Sequence, residues 1–199
     1  MRLILASNSP RRKDLLGRLH IPFEVRALPV RELGPDDAPA TELPKLNAEL
    51  KAQAVAEAFP EFPVLGADTV IVFGERIIGK PRDLAEARRT LLELAGKTHA
   101  VVTGLALLRK CDGVHEVWSE RTEVTFRSFD EAVADRYLSL VDVLDKAGSY
   151  ALQEHGELLI SSVSGDADNV VGLPLAELRR RLERIGCMAD PAGPPFTRG

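Results

Sequence analysis

Asp68 stands inside an apolar run, Val64-Leu65-Gly66-Ala67-Asp68-Thr69-Val70-Ile71-Val72-Phe73. An ionised carboxylate in such a strand is costly unless a cation, a metal or water access compensates. A structural Asp bonded to neighbouring backbone is the plainer alternative. Further on, Gly79-Lys80-Pro81 follows the return strand of a hairpin, and the spacing predicts Lys80 near Asp68. An acid and a base brought together at the end of a sheet can make a metal or proton-transfer site beside a phosphate ligand.

The turn Ala6-Ser7-Asn8-Ser9-Pro10-Arg11-Arg12 is a second candidate. A helix N-terminus offers free N–H groups and partial positive charge to a phosphate, and two hydroxyls and two guanidiniums add donors. It lacks the Gly-x4-Gly-Lys pattern of a Walker loop. A capped surface helix with solvated arginines is the alternative. Lys51 falls beside the apolar stripe of its helix, near Asn47, Ala54 and Val55, where a snorkelling lysine competes with a ligand. The segment from Asp145 to Gln153 mixes polar donors with one aromatic. Gln153 could read a base edge or be an ordinary exposed amide. The run Arg179-Arg180-Arg181-Arg184 reads as a solvated face near a helix C-terminus. The four histidines, His20, His99, His115 and His155, make no Ser-His-Asp arrangement, and only His155 is near a candidate segment. A hydrolase acting on phosphates through metal and carboxylate needs none.

The elements that must position these residues follow from pattern. Leu3 to Ala6 reads as a buried strand running into a helix with Ser9 as N-cap, Pro10 at the first position and Leu15, Leu16 and Leu19 as its stripe. A strand is predicted over Phe23 to Ala27 and a loop over 28–40. A helix opening at Thr41 should bury Leu43, Leu46, Leu50, Ala54 and Ala58. Val64 to Phe73 is β-branched and apolar enough for a central strand, returned by Gly74-Glu75-Arg76 into Ile77-Ile78. Asp83 and Glu86 have capping-box spacing before Leu84, Ala87, Leu91 and Leu94 and a Gly96 stop. Long strands over 98–108 and 114–126 meet at a Cys-Asp-Gly turn. Ser128 and Glu131 again have capping-box spacing, before a helix carrying Val133, Ala134 and Tyr137. A strand over 158–163 and a helix opened by Pro174 with Leu175, Leu178 and Leu182 complete the pattern. The expectation is an α/β domain over 1–188, with a mixed sheet flanked by helices, and a flexible Pro/Gly-rich tail over 189–199.

Composition narrows the classes. The formal net charge is −4, so no overall basic field draws the chain to nucleic acid, and 5% aromatic residues are too few for a base-stacking platform. Of 26 basic residues only seven are Lys. Cys111 and Cys187 lie outside any metal or disulfide spacing, and a reducing cytoplasm is the expected compartment. No apolar run reaches the roughly 18 residues of a membrane span. The start, Met1 to Ala6, has too short an apolar stretch for a signal peptide, and Arg11-Arg12 lacks the apolar segment of a twin-Arg signal.

Together the segments resemble the Maf family of nucleoside triphosphate pyrophosphatases. The matching blocks are Leu5-Ala6-Ser7-Asn8-Ser9-Pro10-Arg11-Arg12 with Leu15-Leu16, Leu65-Gly66-Ala67-Asp68-Thr69-Val70, Gly79-Lys80-Pro81-Arg82-Asp83, Thr103-Gly104, Asp145-Lys146-Ala147-Gly148 and Val171-Gly172-Leu173-Pro174. The resemblance implies two lobes with a cleft, similar to the inosine triphosphate pyrophosphatases. It further implies hydrolysis of a nucleoside triphosphate to monophosphate and pyrophosphate with Mg2+ or Mn2+. Carried over by position, Asp68 is the catalytic carboxylate and metal ligand, Glu32 an acidic metal-side residue, and Ser7, Arg12, Lys51 and Lys80 phosphate-side ligands. Arg11, Thr69 and Gln153 match the group that cleaves dTTP and UTP; the 7-methyl-GTP group carries Trp, Gln and Glu there. In the pyrimidine group Gly usually flanks that Gln, whereas Leu152 and Glu154 flank it here, and a shift of one residue would put Glu154 at the discriminating position. The family is also associated with a non-catalytic, nucleotide-binding role in cell division, and housecleaning of purine triphosphates such as ITP is a third reading. A homodimer is compatible with the resemblance.

Overall fold

Seven strands form one mixed sheet in the computed structural model, which describes residues 2–188. The strands are β1 (Leu3–Leu5), β2 (Phe23–Val25), β3 (Val64–Phe73), β4 (Arg76–Ile78), β5 (Thr98–Arg109), β6 (Val114–Phe126) and β7 (Ile160–Ser164). Their order is β2-β1-β3-β5-β6-β7, with β4 paired to β3. The helices are α1 (Pro10–Gly17), α2 (Leu43–Ala56), α3 (Leu84–Leu94), α4 (Glu131–Leu140), α5 (Ala167–Val171) and α6 (Leu175–Arg184). The mixed α/β expectation is met. The tail expected over 189–199 lies outside the described residues. Among those described, no helix is long and apolar enough to cross a membrane.

The pairing of β3 makes the cleft. One edge of β3 pairs with β5 continuously from Val64 to Val72. The other edge is shared: β1 runs parallel to it at Val64 and Leu65, and β4 runs antiparallel to it from Ile71 to Phe73. Ala6 N–H still bonds the Leu65 carbonyl at 2.8 Å. Beyond that the edge around Asp68 and Thr69 borders neither strand, which leaves a notch where strand order changes, the usual place for a ligand in an open α/β sheet.

Strand alternation sends β3 side chains to two faces. On one face Leu65 and Ala67 pack with α1, α6 and Trp118 in one core, while Ile71 packs with α3, α4, Phe126 and Tyr137 in another. Between them sits a polar row, Thr69 opposite Thr103, so the two apolar cores never merge. On the other face β3 carries Gly66 and Asp68 beneath α2.

That helix lies closer to the sheet than its leucines predict. A Cβ on Gly66 would sit 2.1 Å from the Ala48 carbonyl oxygen, and one on Gly104 would sit 2.2 Å from Pro44 backbone. Only glycine admits such an approach. The buried face of α2 is therefore Leu43, Pro44, Asn47, Ala48, Ala52, Val55 and Ala56. Of the expected stripe only Leu43 belongs to it; Leu46 and Ala58 are exposed and Leu50 and Ala54 half-buried. The helix starts at Leu43 after Glu42, without a side-chain cap from Thr41.

Other boundaries shift for local reasons. Strand β2 stops at Val25, and a 3-10 turn over Gly156–Leu158 delays β7 to Ile160. Asp130, not Ser128, caps α4 by accepting from Val133 N–H at 3.1 Å, its negative charge suiting the helix N-terminus better than a hydroxyl. Asp83 caps α3 as expected, but Glu86 bonds the Arg82 N–H and guanidinium in place of the Asp83 N–H, and Leu84 is exposed. Helix α5 has no counterpart in the sequence reading; its five residues are too few to show a period.

Candidate active site

The notch opens into a cavity of about 420 Å3, within the range of small-molecule sites. Its lining gathers Ser9, Arg11 and Arg12 from the start of α1, Glu32 from the 28–40 loop, and Asn47 and Lys51 from α2. Asp68 and Thr69 reach it from β3, Lys80 from beyond β4, and Lys146, Tyr150 and Gln153 from the segment before β7. Eight of the nine residues singled out in the sequence thus converge; Ser7 is buried just behind, bonded to Arg12.

Asp68 is largely shielded, and its partner differs from the expected one. Lys51 Nζ lies 2.8 Å from Asp68 Oδ1 and 2.9 Å from a Glu32 oxygen. Lys51 is therefore no snorkelling surface lysine. Lys80 lines the same cavity but forms no ion pair with Asp68; it is exposed and has no charged partner among the described residues. The hairpin turns Lys80 to the mouth, while α2, drawn in over Gly66 and Gly104, delivers Lys51 to the carboxylate.

Asn47 was not singled out as a site residue, though its i, i+4 spacing from Lys51 places both on one helical face. Its side chain is buried. The amide oxygen accepts from Leu33 N–H at 2.8 Å, while Nδ2 donates to the Leu33 carbonyl at 3.1 Å and to Asp68 Oδ2 at 3.4 Å. It pins the otherwise irregular loop to α2 and so holds Glu32 over Lys51.

Arg12 closes the floor. Its guanidinium donates to Ser7 Oγ at 3.2 Å, Thr69 Oγ1 at 3.0 Å and the Gly172 carbonyl at 3.0 Å. Behind Thr69 the Thr103 hydroxyl lies 3.0 Å away and donates to the Asn169 carbonyl, and Asn169 Nδ2 binds the Val101 carbonyl and Thr122 Oγ1. Helix α5, unseen in the sequence, supplies Asn169 and ends at Gly172 in the left-handed region, φ 116°. Burial lowers the Arg12 guanidinium from its ordinary value, opposed by attraction to Asp68 and Glu32.

At the other end, Arg11 Nη1 bonds Asp145 Oδ2 at 2.9 Å. Gln153 lines the cavity, whereas the Glu154 carboxylate pairs with Lys146 at 3.4 Å. The loop is held by Tyr137, whose hydroxyl accepts from Ala151 N–H at 2.9 Å. His155 is exposed and does not line the cavity. The arginine run on α6 is not simply solvated: Arg181 stacks over Trp118 at 4.1 Å and pairs with Glu116 and Glu177.

Five cations and three carboxylates thus surround one cleft in a chain of net charge −4. The sequence profile described as "Maf-like protein" matches residues 2–185. The chain belongs to the Maf family. Relatives within reach of this Maf-family chain include a protein of Akkermansia muciniphila named "dTTP/UTP pyrophosphatase", 46% identical over 187 residues, covering 94% of this chain and 98% of the relative. Another, of Bacillus cytotoxicus and with the same name, is 46% identical over 192 residues, covering 96% and 99%. Among solved structures, the Ham1 protein of Staphylococcus aureus superposes with a TM-score of 0.56 at 16% identity, covering 93% of this chain and all of that one. That likeness concerns the fold.

Proposed function

We propose that this Maf-family chain hydrolyses nucleoside triphosphates, dTTP and UTP foremost, to the monophosphate and pyrophosphate. The observation that carries the reading is Asp68, a shielded carboxylate paired with Lys51 at the notch of the sheet, in a cavity that Arg12 and Lys80 also line. The names of the relatives support the substrate.

In this mechanism Ser9, Arg12, Lys51 and Lys80 bind the triphosphate and offset its charge. Asp68 accepts the proton of a water that attacks the phosphorus from which pyrophosphate departs. Arg11, Thr69 and Gln153 meet the nucleoside end. The residues also fit a divalent cation. Glu32 and Asp68 already share one positive charge through Lys51, and their donors are hard oxygens. Among the described residues no cluster of three or more His, Cys, Asp or Glu could hold a metal by itself, so Mg2+ or Mn2+ would draw on these two carboxylates together with oxygens of the substrate and water. Asp68 and Glu32 would hold it, and bound there it supplies charge neutralisation to the phosphates.

The test is a nucleotide panel with Mg2+ or Mn2+ and added inorganic pyrophosphatase, reading phosphate. The expected result is release from dTTP and UTP well above ITP, 7-methyl-GTP and the common purine triphosphates. A preference for ITP or 7-methyl-GTP overturns the substrate, and release from none overturns the enzyme reading.

A further inference from the structure

Among the described residues Lys146 is the buried lysine, with its side chain 7% exposed. Although it lines the cavity, its ammonium is turned to three protein oxygens. It donates to the Asp142 carbonyl, bonds Asp145 Oδ1 at 2.9 Å and pairs with Glu154 Oε1 at 3.4 Å. Two of the three N–H groups of this ammonium are thus hydrogen-bonded, and the Glu154 carboxylate stands against it as an ion pair. Little remains for a phosphate.

Each carboxylate partner leads to a residue at the nucleoside end. Asp145 grips Arg11 through Oδ2 at 2.9 Å and its carbonyl at 3.5 Å. Glu154 is the direct neighbour of Gln153. The series Arg11–Asp145–Lys146–Glu154 therefore ties the start of α1 to the loop carrying Gln153. Two cations and two anions make it neutral, so it adds no net charge to the cleft. Burial would raise the Asp145 carboxyl, but bonds from Lys146 and Arg11 outweigh this and hold it below its ordinary value. Lys80 is the contrast, exposed at the mouth and without an ion-pair partner among the described residues.

We infer that Lys146 is a positioning residue for nucleobase selection: it fixes the spacing between Arg11 and Gln153 and binds no phosphate. The inference rests on the dTTP/UTP reading proposed above. A site built to hydrogen-bond one base discriminates only while its polar groups keep their spacing.

The test compares kcat and KM for dTTP, UTP, dCTP and dGTP in the wild type and in Lys146→Met, which keeps chain length and loses the ammonium. KM for dTTP should rise about tenfold, the order of one charge-assisted hydrogen bond. Turnover at saturation should change less than about threefold, and the preference for dTTP over dCTP should fall by about the KM factor. A merely structural lysine would lower active enzyme equally for every nucleotide and leave the preference intact. Should Lys146→Met fail to fold, Asp145→Asn and Glu154→Gln, both at half-exposed side chains, cut the two arms separately, and each should lower the preference in part. Wild-type turnover with an unchanged preference in the variants that fold overturns the inference alone. Absence of wild-type turnover on dTTP and UTP overturns the reading beneath it as well.

Discussion

Asp68 and Arg12 show how much one residue's surroundings decide. A carboxylate in an apolar strand declares itself in the sequence, because its burial must be compensated. Its partner does not, since pairing depends on how deeply α2 sits over two glycines far apart in the chain. Asp68→Asn keeps the size and loses the charge; turnover should fall at least ~100-fold in steady-state assays, the order for a lost general base. A near-normal rate would remove Asp68 from the reaction. Arg12→Lys is the sharper test of the floor. The flat guanidinium reaches Ser7, Thr69 and Gly172 together, which one ammonium on a flexible stem cannot reproduce. KM for the nucleotide should rise at least ~10-fold, with a lower melting temperature.

Among the elements, the strands were legible and one helix face was not. The run from Val64 to Phe73 is β3 to the residue, because an unbroken β-branched stretch has few alternatives. The α2 face differs from the one its leucines predict because close packing here requires small residues: Ala48 and Ala52 against Gly66, and Pro44 against Gly104. The five residues of α5, with Asn169 and Gly172, escaped for want of length. The glycine contacts predict that Gly104→Ala destabilises by about 3 kcal/mol or more, since backbone must move to admit the methyl group. Gly17→Ala, where a Cβ meets nothing within 4 Å at the end of α1, should change stability by less than about 1 kcal/mol. Urea unfolding of both variants reads the difference. Loss of activity in Gly104→Ala should follow from Lys51 and Asn47 riding on the displaced helix.

For the whole molecule, a polar seam separates two apolar cores on one face of the sheet, and the cleft opens at that seam. The same arrangement buries His99 in the second core's aromatic group, with Nε2 2.8 Å from the Tyr150 hydroxyl and Phe126 edge-on. Burial lowers the His99 pKa to about 4 from an ordinary 6.5. The unfolded chain therefore takes up this proton before the folded one does. The stability contributed by this difference at His99 is fully present above about pH 6.5 and is lost as pH falls towards 4, up to about 3 kcal/mol. Urea titrations across that window should show the decline, and His99→Gln should lose this component of the slope. An unchanged slope would mean His99 titrates normally in the fold.

Product analysis reads directly which phosphoanhydride bond of the nucleotide is cut. Wild-type protein with dTTP and Mg2+, its products resolved by phosphorus NMR, should yield dTMP and pyrophosphate in equal amounts. The same mixture with Asp68→Asn should stay essentially as dTTP over that time. Formation of dTDP and orthophosphate, or no turnover by the wild type, would contradict the account.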